Sequence, residues 1–395
     1  MPESAAPARR RLALLLVGIV LLAIQLRSPL VAVAPVAAEA QAGWGVTPAA
    51  FGLLTTLPLL CFGLATPLAP LAARRLGLEG AIELCLGGIV VATVLRSIDG
   101  FGVALVAAVL LGVSITLGNV LVPAIIRRDV GPRGRAAATG AYTVAINVGT
   151  MLTTIGTVPL ASLLGWRAAI AAWSVLGVGS AVFWVAVLRR GAPVAVVDPL
   201  ASGRFRPRLL AWMLGGAFAA QSFSYYAMTT WLPSLLRDER GFDASVAGVA
   251  SSVFQLAGIA GGIGVPLLAL RLRPRTILGI VGALWIALPL GLLVVPEQFV
   301  LLGVLGGAAQ GAGFASIFTI IADAAGDARQ TTALSAFVQT VGYLVAATAP
   351  PLIGGARQLS GGWTLPLGIV LAATLVFLLA GVTGATLAAR HHHAR

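Results

Sequence analysis

Residues 45–56 read GVTPAAFGLLTT, and residues 241–252, 196 positions later, read GFDASVAGVASS. In that gapless register Gly45 meets Gly241, Thr47 meets Asp243, Gly52 meets Gly248, and Thr55 and Thr56 meet Ser251 and Ser252. Moving outward, Gln25 meets Gln221, Pro70 meets Pro266 and Arg75 meets Arg271. Apolar segments resemble one another by chance through Leu and Ala, whereas this match is carried by Gly and polar punctuation. The chain is therefore built as an internal repeat.

Each copy is made of membrane spans. Hydrophobic residues form 58% of the 395 and charged residues 10%, with a mean hydropathy of +0.98, far outside the range of soluble domains. Apolar runs near 20 residues recur along the whole length, with Pro and Gly scattered inside them as packed helices tolerate. Lipid-facing strands would alternate apolar and polar residues, and these runs do not. Spans are expected near 11–38, 48–73, 79–98, 102–126, 135–161 and 167–188, then 208–233, 244–270, 276–295, 299–322, 332–356 and 364–388. The expectation is an all-α membrane protein of twelve transmembrane helices. Its parts are a tail at 1–10, a six-helix bundle at 11–188, a linker at 189–207, a second bundle at 208–388 and a tail at 389–395.

The net charge of +13 comes from 26 basic residues, all of them Arg. With the N-terminus inside, 20 of these fall on the cytoplasmic side, and only Arg96, Arg167, Arg237, Arg240 and Arg357 lie outside it, leaving Arg27 within a span. That asymmetry is the positive-inside pattern, so both termini are expected in the cytoplasm of a bacterial-type inner (plasma) membrane. The charge is spread too thinly for a nucleic-acid face. Cys61 and Cys85 lie inside apolar runs, as small hydrophobes do. Arg9–Arg11 and the following apolar run resemble a signal peptide, but the run is too long and carries Arg27, so it reads as an uncleaved first helix.

Arg27 stands about 22 Å into a run of about 40 Å, too deep to reach either surface with ease. A guanidinium at that depth costs between about 3 and about 15 kcal/mol unless it faces a cavity or a partner. The run Leu12–Ala38 holds no acid, so Arg27 reads as a site for an anionic or strongly polar solute. Its planar fork suits a flat oxyanion, carboxylate or nitro group, and Pro29 and Pro35 beside it break the helix ladder. All thirteen acids lie in tails, loops or helix ends, Glu83 being the deepest, and the three His are confined to His391–His393. That inventory favours a facilitator, an anion exchanger, or symport of a proton with an anion. Neutral polar residues inside the spans complete the candidate site: Asn119, Tyr142, Asn147, Gln221, Tyr225, Gln255, Gln339 and Tyr343, with Tyr226 and Gln310 as further members. Gln221 with Tyr225, and Gln339 with Tyr343, share a helix face at i and i+4. Trp231 reads as an interfacial anchor. Glycine runs at 258–264 and 306–313 lack the Lys and the preceding strand of a phosphate loop, so close helix packing is expected there. No metal, nucleotide or covalent cofactor is assigned.

Several strings resemble a known family. They are IQLRSPLVAVAP at 24–35, GLLTTLPLLCFGLATPLAPLAARRLGLE at 52–79, LGNVLVPAIIRRD at 117–129, GWRAA at 165–169, WLPSLLRDERGF at 231–242 and SSVFQLAGI at 251–259. Together they resemble the cyanate permease and 2-nitroimidazole transporter family, a branch of the major facilitator superfamily, over essentially the whole chain. The resemblance implies two six-helix bundles related by a parallel repeat, with a site near the midplane lined by the first, seventh and eleventh helices. It also implies a secondary transporter working by alternating access on a cyanate-like or nitroimidazole-like solute. The superfamily's loop between helices two and three usually holds an Asp-Arg pair, where this chain has Arg74 and then Arg75 and Gly77. Arg75 and Gly77 are the gating residues so implied, with Asp129 as a candidate acidic partner. The alternatives are a multidrug or proton-coupled exporter of the same superfamily, disfavoured by the missing core carboxylate, and a membrane-embedded enzyme or sensor, for which the chain has neither a catalytic cluster nor a signalling domain.

Overall fold

A computed structural model describes residues 5–188, 209–324 and 328–393, so the linker expected at 189–207 lies outside the described residues. Among the described residues every regular element is a helix. Ten helical stretches are long and apolar enough to cross a membrane. Two further helices complete the twelve. Pro48–Leu64 is apolar but shorter, because Ala65–Pro67 interrupts the second span before a helix resumes at Leu68. Leu209–Arg240 has the length, but buried Gln221, Ser222, Ser224, Tyr225, Thr229 and Thr230 dilute its apolar residues. Polar side chains buried along a span face neighbouring helices rather than lipid.

The first span departs from its expected end at residue 38. It runs as Ala5–Gln25, Ser28–Val31, Ala34–Val36 and Ala37–Trp44, because no residue stops the last piece before Gly45, whose φ is +65°. The breaks fall where the two prolines stand. Pro29 and Pro35 occupy the first turns of the second and third pieces, and a proline has no N–H to continue the ladder from the turn before.

The 196-residue register is realised atom by atom. Gly45 and Gly241 both hold φ +65°, as do Gly165 and Gly361 at φ +79° and +68° in the same register. Thr47 Oγ1 accepts the Ala50 amide at 3.2 Å, and Asp243 Oδ1 accepts the Val246 amide at 2.9 Å, so matched residues cap matched helices. Hydrogen bonds from Ser245 and the Val246 amide hold the exposed Asp243 carboxyl below the ordinary carboxylate range. That cap is present above the unfolded pKa and fades as pH falls through the folded one, whereas the Thr47 cap has no charge to lose.

Gly52 and Gly248 each lie against the opposite half. A Cβ on Gly52 would stand 2.6 Å from the Pro350 carbonyl carbon, and one on Gly248 would stand 2.7 Å from the Thr154 carbonyl oxygen. Residues 154 and 350 are themselves 196 apart, so the two halves meet across a pseudo-two-fold seam. Thr56 Oγ1 donates across it to Ala347 O at 2.6 Å, Phe51 meets Trp231 with ring centroids 5.9 Å apart, and Arg237 pairs with Glu39 at 3.3 Å. These contacts gather on the face that carries the Gly45 and Gly241 turns and reach inward to Phe62 and Tyr343, 5.4 Å apart. The opposite face carries exposed Arg74, Arg75 and Arg271.

Within the second half, spans eight and ten touch backbone to backbone. A Cβ on Gly311 would overlap the Gly258 carbonyl, and one on Gly307 or Gly261 would overlap the Phe254 or Ala308 carbonyl. Small residues let membrane helices approach this closely. Gly311→Val is therefore expected to abolish the monodisperse peak in detergent size-exclusion chromatography. Gly303→Ala on the same helix, where an added methyl meets nothing within 4 Å, is expected to leave it unchanged.

Candidate functional site

The break in the first span creates the site. Arg27 precedes Ser28–Val31 with φ −139° and ψ −27°, outside helical geometry, and the Ser28 hydroxyl turns back to the Ile24 carbonyl. Span five seals the back of the break at Gly149, where a Cβ would overlap Ile24 O and crowd Ser28 Oγ. Arg27 is half-buried while Gln25, Leu26 and Ser28 around it are buried.

The Arg27 head group faces the other half. Arg27 Nη1 donates to the Tyr225 hydroxyl at 3.2 Å, and the guanidinium carbon lies 5.1 Å from the Tyr225 ring centroid and 5.8 Å from that of Tyr226. Cation–π contacts of this kind strengthen as water is removed. The phenol is oriented from behind, since Tyr225 OH donates to Gln255 Oε1 at 3.3 Å and Gln255 Nε2 donates to Thr229 Oγ1 at 3.2 Å. The chain has four tyrosines, and all of them, Tyr142, Tyr225, Tyr226 and Tyr343, lie within electrostatic reach of Arg27. Tyr142 OH donates to Asn119 Oδ1 at 3.1 Å, while Tyr343 packs edge-on to Phe62 and Phe218 at 5.4 Å each. Behind Tyr225, Phe254 and Trp285 continue a stack of near-parallel rings. A fixed cation ringed by phenols offers charge, hydrogen bonds and flat apolar walls to one small planar group.

The other sequence-derived candidates are placed differently. Gln221, expected to share a face with Tyr225, is buried and donates to Gln310 O at 3.0 Å, tying spans seven and ten together. Asn147 and Gln339 are half-buried and donate to carbonyls of their own helices, Thr143 at 3.0 Å and Ser335 at 3.4 Å.

A model of the Major Facilitator Superfamily matches residues 13–350. The chain belongs to that superfamily. The 2-nitroimidazole transporter of Escherichia coli (strain K12) is 32% identical to it over 372 residues, 93% of this chain and 94% of the relative. The cyanate transport protein CynX of the same organism is 25% identical over 363 residues, 89% of this chain and 92% of the relative. In fold, the chain is similar to the crystal structure of a bacterial homologue of the human lysosomal transporter Spinster, with a TM-score of 0.73 and 18% identity over 96% of this chain and 97% of that one. This major facilitator protein is thus a multi-pass membrane transporter for a small-molecule solute, and its relatives are transporters.

The expected gating residues sit on the arginine-bearing face. Gly77 takes φ +76° and ψ 170° and turns the chain between spans two and three, and Arg75 beside it is exposed. Asp129 is not seen with Arg75. It pairs with its neighbour Arg128, at 2.7 Å, and the same guanidinium also pairs with Glu79. Glu79 is only 8% exposed, while Glu83, one turn farther along the same span, is half-buried. Two residues escaped the sequence reading. Arg96, counted only as lying off the cytoplasmic side at the end of the third span, is fully buried and donates to the Pro29 carbonyl beside the break. Trp231, expected as a lipid-interface anchor, is buried at the seam, donates to Pro350 O at 2.9 Å and packs on Phe51. A helix-end Arg and an outer-end Trp both look interfacial until packing brings another span against them.

Tyr225 and Gln255 act as one unit in this network. Gln255→Leu strands the buried Tyr225 proton, at a cost of about 1–3 kcal/mol. Its effect on the apparent unfolding temperature in detergent is expected to shrink sharply in a Tyr225→Phe background, since coupled partners are non-additive.

Proposed function

We propose that this transporter carries a small planar anionic or strongly polar solute, of the cyanate or nitro-heterocycle kind, across a bacterial-type inner membrane by alternating access about Arg27. The observation that carries this reading is the guanidinium at the break of the first span, turned toward Tyr225 and Tyr226 of the opposite half with no carboxylate in contact among the described residues. A cation so placed recognises a solute that brings its own negative charge or a strong dipole, and the guanidinium fork fits flat two-oxygen groups. The phenol walls suit a planar body. The relatives named for 2-nitroimidazole and cyanate support both kinds of cargo.

The arginine distribution supports an orientation with the face bearing Arg74, Arg75 and Arg271 in the cytoplasm, together with both termini. The seam contacts then lie on the outer side. When the halves rock the other way, the cytoplasmic face must close, and the loop of Arg75 and Gly77 with the Glu79–Arg128–Asp129 cluster is the group that performs that closure. The same empty-handed core argues against an exporter of amphipathic cations, which needs a carboxylate to hold its cargo.

The test is saturable uptake of radiolabelled cyanate and 2-nitroimidazole into proteoliposomes. Arg27→Ala is expected to lower uptake of the charged solute at least ten-fold, and Arg27→Lys to restore it only in part because a point charge lacks the fork. Undiminished saturable transport by Arg27→Ala overturns the role given to this residue.

A further inference from the structure

We infer that Tyr225 stands in for the solute as the partner of Arg27 during the return of the unloaded carrier, and so makes the protein a net-flux carrier rather than an obligate exchanger. The inference rests on the reading of Arg27 as the solute site and narrows its mode of transport.

Alternating access passes through a state sealed on both faces. In that state Arg27 loses its water, and an unpaired cation without water or a counter-group is costly enough to bar the passage. If the solute were the only group able to face the guanidinium, the carrier could cross loaded but not return empty, and every outward trip would need a solute on the way back. The chain supplies a partner of its own. Tyr225, from the half opposite Arg27, presents its hydroxyl oxygen at 3.2 Å and its ring at 5.1 Å, and Tyr226 presents a second ring at 5.8 Å.

The hydroxyl is set for this task by its neighbours. Its proton goes to Gln255 Oε1, and Gln255 is itself held by its donation to Thr229. The phenol oxygen therefore turns lone pairs toward Arg27 and acts as an acceptor. A neutral acceptor binds a guanidinium less strongly than an anion does, so an arriving solute displaces Tyr225 and an unloading solute is replaced by it. Tyr226 complements this exchange of partners. Its hydroxyl is buried with no hydrogen-bond acceptor among the described residues, which leaves its proton for the cargo. Adjacent tyrosines thus take opposite parts, one serving the cation between cargoes and the other serving the cargo.

The experiment compares two fluxes in the same proteoliposomes, with radiolabelled cyanate as probe: net uptake into cyanate-free vesicles, and exchange into vesicles preloaded with unlabelled cyanate. Exchange needs only loaded crossings, whereas net uptake needs the unloaded return. For the wild type both fluxes are expected at comparable rates. Tyr225→Phe is expected to lower the ratio of net uptake to exchange at least ten-fold, because the ring remains but the acceptor is gone. Gln255→Leu, which keeps the phenol but frees its orientation, is expected to shift the ratio in the same direction by a smaller factor. Exchange by the variants shows that they are folded and bind cargo. An unchanged ratio in both variants, whether the two fluxes fall together or persist, overturns the role of Tyr225. Exchange without net uptake by the wild type overturns the net-flux reading. A wild type that moves cyanate in neither arm, and 2-nitroimidazole likewise, overturns the proposed function and this inference with it.

Discussion

A guanidinium held deep inside a membrane span, with no carboxylate beside it among the described residues, is the constraint around which this protein is built. Such a charge is tolerated only where backbone, rings and hydroxyls replace the water it has lost. The first span breaks at Arg27 instead of running through, which turns the side chain away from lipid and into the gap between halves. Prolines fix the break, Ser28 and Arg96 occupy carbonyls on either side of it, and Gly149 lets the fifth span close over its back. The opposite half answers with a polar seventh span whose buried hydroxyls and phenols sit where a lipid-facing helix would carry Leu.

The site is asymmetric although the scaffold is not. The repeat places matched glycines, matched helix caps and matched seam contacts in both halves, yet the position equivalent to Arg27 is Phe223, a buried ring. Symmetry thus belongs to the seam, where matched contacts repeat on both sides of the pseudo-two-fold. The cation belongs to one half and its ligands to the other, so whatever occupies the space between them feels both halves at once.

The repeat was legible in the sequence because its signals are local. A glycine with positive φ and a Thr or Asp capping three residues ahead need only their own segment, and both occur at 45–47 and 241–243, positions the register had already matched. Arg27, Tyr225, Gln255 and Tyr142 were legible for a different reason, since a polar residue inside an apolar run has few places to point except inward. The partnerships were not legible. Nothing in the spacing distinguishes Gln255, which orients a phenol, from Gln221, which ties two helices together, or from Asn147 and Gln339, which fold back on their own backbones. Arg96 and Trp231 were misplaced because residues at helix ends are assigned by depth, and depth says nothing of what packs over them. Glu79 and Arg128 lie 49 positions apart, and only the fold reveals that one neutralises the other.

The lone charge also has an electrical side. With all thirteen acids in tails, loops or helix ends and the three His at 391–393, a proton that crosses with an anionic cargo has to travel on the cargo itself. Each anion that crosses alone moves one elementary charge through the membrane field, worth about 2.3 kcal/mol per 100 mV. An interior-negative potential of that size holds an anion about fifty-fold more dilute inside than outside at equilibrium, by the usual 1.36 kcal/mol per decade. For such a cargo the resting voltage of the cell is itself the driving force, and it points outward.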